Sequence, residues 1–182
     1  MSRSPLPPVL RLARPAEAWF KPALSVVIAG AVPDFVLLGI GRLDLVMFTM
    51  AGSLCALFGH QLPYAARARA IPGVVLGMTA GLALALLAGA ATSSVPLLVL
   101  VGAALAAVQK TLVDATRIGP PGHVIFVFVS SGALFVHQPA QLIPGHLALT
   151  LGAGLIAWAV TLAPALLRPH GPERRATARA LA

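Results

Sequence analysis

Six apolar runs of roughly 15 to 22 residues follow one another between residues 22 and 167, and their length decides the solvent this chain folds in. A helix rises about 1.5 Å per residue, so such runs match the roughly 30 Å hydrocarbon layer of a bilayer. The runs cover 22–41, 45–60, 71–90, 95–108, 123–137 and 146–167, and the second and fifth read as short spans between polar loops. A transmembrane barrel needs strands with alternating polar positions, and none appear. With 58% apolar residues, 10% charged residues and a mean hydropathy of +0.91, the chain is too poor in charge for a soluble domain of 182 residues.

The chain also repeats itself. Ala56-Leu57-Phe58-Gly59-His60-Gln61 returns as Ala133-Leu134-Phe135-Val136-His137-Gln138. Upstream, Ile40-Gly41 and Val46-Met47-Phe48 return as Ile118-Gly119 and Val124-Ile125-Phe126, at the same offset of 77 to 78 residues. Repeats of this kind set an architecture. Three spans per half is an odd number, so the second half enters from the opposite side. The expected fold is therefore all-α and integral to the membrane: six transmembrane helices arranged as two inverted three-helix repeats, 22–90 and 95–167.

Charge supplies the orientation. Net charge is +8 and the pI is near 11.6, values that suggest nucleic-acid binding, but the basic residues sit at the ends of apolar runs and not on one face. They read as topology signals and lipid-headgroup contacts, with no nucleic-acid partner. Of the 13 Lys and Arg, twelve fall on one side of a six-span topology: four in a basic arm (1–21), Arg67 and Arg69, Lys110 and Arg117, and four in a basic tail (168–182). Only Arg42 is opposite. Positive loops stay in the cytoplasm, so both termini are expected inside, in the plasma membrane of a bacterium. Ala29-Gly30-Ala31 resembles a cleavage site, yet the basic region before it is long for a signal peptide, and an uncleaved first span fits better.

Local residues refine the spans. Pro33-Asp34 interrupts the first, which is expected to kink or break in its outer half. Gly73, Gly77, Gly81, Ala85 and Gly89 lie four apart on the third, allowing another helix to approach closely. Lys110, Asp114 and Arg117 continue the fourth as a polar helix that Gly119-Pro120-Pro121-Gly122 stops. Cys55 is the sole cysteine, which excludes a disulfide within the chain.

Several segments together resemble a known family. They are Gly41-Arg42-Leu43-Asp44-Leu45, Ala51-Gly52-Ser53 with Ala56-Leu57-Phe58-Gly59, Pro63-Tyr64 with Arg67-x-Arg69, and Gly119-Pro120-Pro121-Gly122 before an apolar span. In order and spacing they look like the membrane half of the fusaric acid resistance protein-like (FUSC) family, which belongs with the aromatic acid exporters and is distantly similar to plant aluminium-activated malate transporters. The likeness covers about residues 20 to 165. It implies six-helix units paired as homodimers and secondary efflux of aromatic or other small organic anions. Many relatives carry a further cytoplasmic domain or a second membrane unit, so a non-transporting scaffold or accessory subunit of the same fold is the alternative.

Candidate functional residues follow from helical period. Thr49, Ser53, Ala56 and His60 share one face of the second span; His123, Ser130 and His137 share one face of the fifth, with Ser131 adjoining. Two hydroxyl-bearing faces at the midplane would hydrogen-bond a carboxylate substrate, or else serve only helix packing. Asp34 is the one acid expected at membrane depth and is a candidate for proton coupling; alternatively it caps the helix broken at Pro33 or lies at the outer interface beside Arg42. Arg67, Arg69, Lys110 and Arg117 would ring the inner mouth and Arg42 the outer one, concentrating anions; the positive-inside rule alone also accounts for them. The five histidines are dispersed, and neither a phosphate-binding loop nor a nucleophile elbow is present, so no metal, cofactor or catalytic chemistry is expected.

Overall fold

Each apolar run is a helix in the computed structural model, which describes residues 20–116, 118 and 121–167. They are α1 (Phe20–Gly39), α2 (Val46–Ser53), α3 (Tyr64–Ala91), α4 (Val95–Thr116), α5 (Val124–Leu134) and α6 (Ile143–Leu167). Tight helical turns at Leu43–Leu45 and Leu54–Leu57 extend α2 on both sides, and another at Ala140–Leu142 leads into α6. No strand occurs among the described residues. The basic arm up to residue 19, Arg117 and the tail from residue 168 lie outside the described residues.

Four stretches are long and apolar enough to cross a membrane: Phe20–Gly39, Tyr64–Ala91, Val95–Thr116 and Ala140–Leu166. The other two, Leu43–Leu57 and Val124–Leu134, are shorter. An 11-residue helix such as α5 covers only about 16 Å.

Named contacts fix the direction of every helix. Asp34 meets Thr49 and Ala29 meets Ser53, so α1 and α2 are antiparallel. Phe48 meets His146 and Thr150, and Gly52 meets Gly154, so α2 and α6 run parallel. Arg67 reaches Thr161 while Val75 meets Gly154, so α3 and α6 are antiparallel. Gly77 faces Phe126 and Gly89 faces Leu134, which makes α3 and α5 parallel. Gln109 meets Ser130 and Gly102 meets Leu134, which makes α4 and α5 antiparallel.

The six segments thus reverse at each connection. The starts of α1, α3 and α5 and the ends of α2, α4 and α6 gather at one end of the bundle. That end carries Lys21, Arg67, Arg69 and Lys110, whereas Arg42 lies at the other. The α3/α6 pair is central: the α1–α2 hairpin packs on α6 and the α4–α5 hairpin packs on α3. Two layers of core fill the spaces, one around Phe58, Ile71, Met78 and Phe126, the other around Phe48, Leu82, Leu86, Leu98 and Leu134.

Lipid is as apolar as leucine, so close backbone approach and interhelical hydrogen bonds hold such a bundle together. The closest approach is α2 on α6. A Cβ built on Gly52 would stand 2.1 Å from the Thr150 carbonyl oxygen and 2.7 Å from the Gly154 nitrogen, both rigid backbone atoms. On α3, Gly77, Gly81 and Gly89 meet α5 or its partner on α4, as the four-residue spacing implied, while Gly73 has open space around it.

The expected break at Pro33 does not occur; α1 is continuous from Phe20 to Gly39. Pro33 has no N–H to give the carbonyl of Ala29, one helical turn back. Ser53 of α2 supplies the donor instead, its hydroxyl 3.1 Å from Ala29 O. The same device recurs in α3, where Pro72 frees the carbonyl of Ala68 and the Trp158 indole N–H of α6 donates to it at 3.1 Å. Side chains of neighbouring helices commonly restore such freed backbone groups inside membranes.

Gly52→Ala is expected to lower unfolding stability in detergent by about 3 kcal/mol or more, because backbone must move. Gly73→Ala, tested by the same thermal melt, should leave it unchanged or slightly raise it.

Candidate functional site

The hydroxyl face of α2 meets α1. Thr49 is 2% exposed, and its hydroxyl lies 2.7 Å from Asp34 Oδ1 and 3.0 Å from Val46 O. Ser53 is fully buried, its proton shared between Ala29 O and Thr49 O. The Asp34 carboxylate is half-buried in the α1–α2 contact. Around it stand Met50, whose Sδ comes within 3.3 Å of a Cβ built on Gly30, and Ser53.

Ser130 occupies a different contact. Its hydroxyl donates to Phe126 O at 2.9 Å and accepts from Gln109 Nε2 at 2.6 Å. Gly81 of α3 makes room for this pair, since a Cβ there would stand 2.3 Å from Gln109 Nε2. Gln109 is 6% exposed, and its Oε1 has no hydrogen-bond partner among the described residues. The sequence signal for Gln109 was a lone amide continuing the fourth apolar run. Ser53 and Ser130 thus face α1 and the α3/α4 pair respectively, while the two short segments meet at an edge-to-face contact between Phe58 and Phe126, centroids 5.5 Å apart.

The remaining candidates divide between the two ends. His60, in the connection between α2 and α3, donates its Nε2–H to Ala56 O at 2.7 Å. His123 precedes α5, with Nδ1 3.8 Å from Asp114 Oδ1. Ser131 and His137 are exposed. At the far end His146, not singled out by the sequence, stacks on Phe48 at 3.9 Å and 6° between planes.

Most of the cations have local partners. Arg67 is 5% exposed and donates to four backbone carbonyls: Gly59 at 2.8 Å, His60 at 2.9 Å, Leu62 at 3.2 Å and Thr161 at 3.2 Å. Its guanidinium also lies 5.2 Å from the Tyr64 ring. Among the described residues no carboxylate reaches it; three carbonyls of the α2–α3 connection and that of Thr161 within α6 take four of its five donors. Arg42 pairs with Asp44 at 3.0 Å and Lys110 with Asp114 at 2.5 Å, both exposed and worth little in water. Arg69 is exposed on α3, and Arg117 lies outside the described residues.

Fold and site define an all-helical protein with four helices of membrane-spanning length and polar side chains spent on helix contacts. No family model, no curated protein and no solved structure matches the chain.

Arg67→Lys removes the forked donor geometry and is expected to cost about 3 kcal/mol of stability, against less than about 0.5 for Arg69→Lys, both read by thermal melts in detergent. Burial, opposed by the Ala56 bond and aided by Arg67 and Lys21, holds the His60 imidazole below its ordinary value of 6.5. The folded chain therefore binds fewer protons there than the unfolded chain. His60's contribution to stability is complete above 6.5 and is lost as pH falls from 6.5 through the lowered folded value. Melting temperature should drop as pH falls below 6.5, and His60→Gln should flatten part of that slope.

Proposed function

We propose that the chain is the membrane unit of a secondary transporter, a six-helix inverted repeat in which all six segments cross the bilayer and which exports small organic acids. One observation carries this reading. Under the correspondence of α1–α3 with α4–α6, the packing repeats itself: α1–α2 packs on α6 as α4–α5 packs on α3. Phe48 and Gly52 meet Thr150 and Gly154 of α6, and Phe126 and Ser130, 78 residues on, meet Gly77 and Gly81 of α3. Inverted repeats with short middle helices are a frequent framework of secondary transporters, with the binding region at their junction.

In this reading the basic end lies in the cytoplasm, and a bacterial plasma membrane is the natural location. The resemblance to aromatic acid exporters supplies the substrate class and the homodimer. Asp34 is the coupling group. As a carboxylate it accepts the Thr49 hydroxyl bond that ties α1 to α2 at this depth.

A second reading, a non-transporting scaffold or accessory subunit, is favoured by the saturation of Thr49, Ser53 and Ser130 within helix contacts. Flux separates the two. Proteoliposomes of the full chain should release benzoate-like acids under a pH gradient, and Asp34→Asn should abolish the dependence on that gradient. Absence of flux under either a pH gradient or a membrane potential, with a second chain co-purifying, would establish the scaffold.

A further inference from the structure

One surface feature is independent of transport. Between α4 and α5, at the basic end, runs a groove of about 350 Å³ lined by Ala106, Ala107, Lys110, His123, Val124 and Val127. It is open along its side, and Val124 is 60% exposed beside it. Apolar walls extend in the direction of the helices, and the polar residues collect at one end.

The polar end has a definite charge pattern. Lys110 and Asp114 stand one turn apart on α4 at 2.5 Å, and His123 Nδ1 lies 3.8 Å from the other Asp114 oxygen, Oδ1. All three side chains are at least one-third exposed. His123 also stands at the N-terminus of α5, which has no side-chain cap and carries the positive end of the helix dipole. Lys110 and His123 thus line one apolar trough, with Asp114 beside both of them and the α5 N-terminus next to it.

We infer that this groove binds a phospholipid with an ethanolamine headgroup. The phosphate sits between the Lys110 ammonium and the α5 amides, the headgroup ammonium donates to Asp114, and an acyl chain lies along Ala106, Ala107, Val124 and Val127. An anionic lipid such as phosphatidylglycerol brings the same phosphate charge but no ammonium to balance Asp114. A choline lipid has no N–H for the carboxylate to accept. A free phosphate would leave the apolar wall unused. Basic pockets between transmembrane helices select headgroups in this way; here the acid in the cluster shifts the preference from anionic to zwitterionic.

The test is lipid competition on the full chain. Protein in nanodiscs of mixed phosphatidylethanolamine, phosphatidylglycerol and phosphatidylcholine is transferred to detergent, and retained lipid is identified by native mass spectrometry. Wild type should retain the ethanolamine lipid in several-fold excess over its share of the mixture. Asp114→Asn should lose the discrimination between ethanolamine and choline lipids while still retaining lipid, and Lys110→Gln should retain less of every lipid. Arg69→Gln should behave as wild type. Equal retention of the three lipids by wild type, a preference for phosphatidylglycerol, or an undiminished ethanolamine preference in Asp114→Asn would each overturn the assignment.

Discussion

A backbone carbonyl without a donor is costly for a helix to carry into hydrocarbon, and the bundle is arranged around removing such carbonyls. Pro33 and Pro72 each create one, at Ala29 and Ala68. The donors come from other helices: Ser53 of α2 for the first, Trp158 of α6 for the second. Arg67 serves the α2–α3 connection and α6 together, taking four carbonyls with one guanidinium. Each bond joins segments that the membrane would otherwise let slide, since no hydrophobic effect drives helices together in lipid.

These bonds need short distances, and glycine provides them. Gly52 brings α2 onto the α6 backbone, and Gly81 lets the Gln109–Ser130 pair enter against α3. The central α3/α6 pair thereby receives one hairpin on each flank. Packing is tight enough that a single methyl group at Gly52 overlaps backbone, so the position of α2, and with it Ser53 and Thr49, follows from one residue lacking a side chain.

The polar groups of the interior therefore have two uses at once. Asp34 and Thr49 hold α1 to α2 and form the one described acid-hydroxyl contact between helices. The exposed charges play a different part: Lys110 lines an apolar groove at the basic end and pairs with Asp114 beside it.

Much of this was legible in the residues alone. Run lengths and composition marked apolar helical segments, four of them long enough to cross a membrane, and the helix set with its short second and fifth members follows the apolar runs closely, because a helix is a local solution in which each segment satisfies its own backbone. The spacing of Gly77, Gly81 and Gly89 marked a face of close approach, and the distribution of Lys and Arg marked one end. What only the tertiary structure decided is which partner each special residue meets. Period assigns Ser53 to a face but not that face to Ala29; Pro33 predicts a freed carbonyl but not its donor; Arg67 reads as a mouth charge and is buried among carbonyls; Gln109 draws no notice until Gly81 and Ser130 surround it. Helices apolar on all sides carry no amphipathic stripe to distinguish lipid from protein, so the choice of neighbour rests on steric fit and on hydrogen bonds between residues up to 102 positions apart.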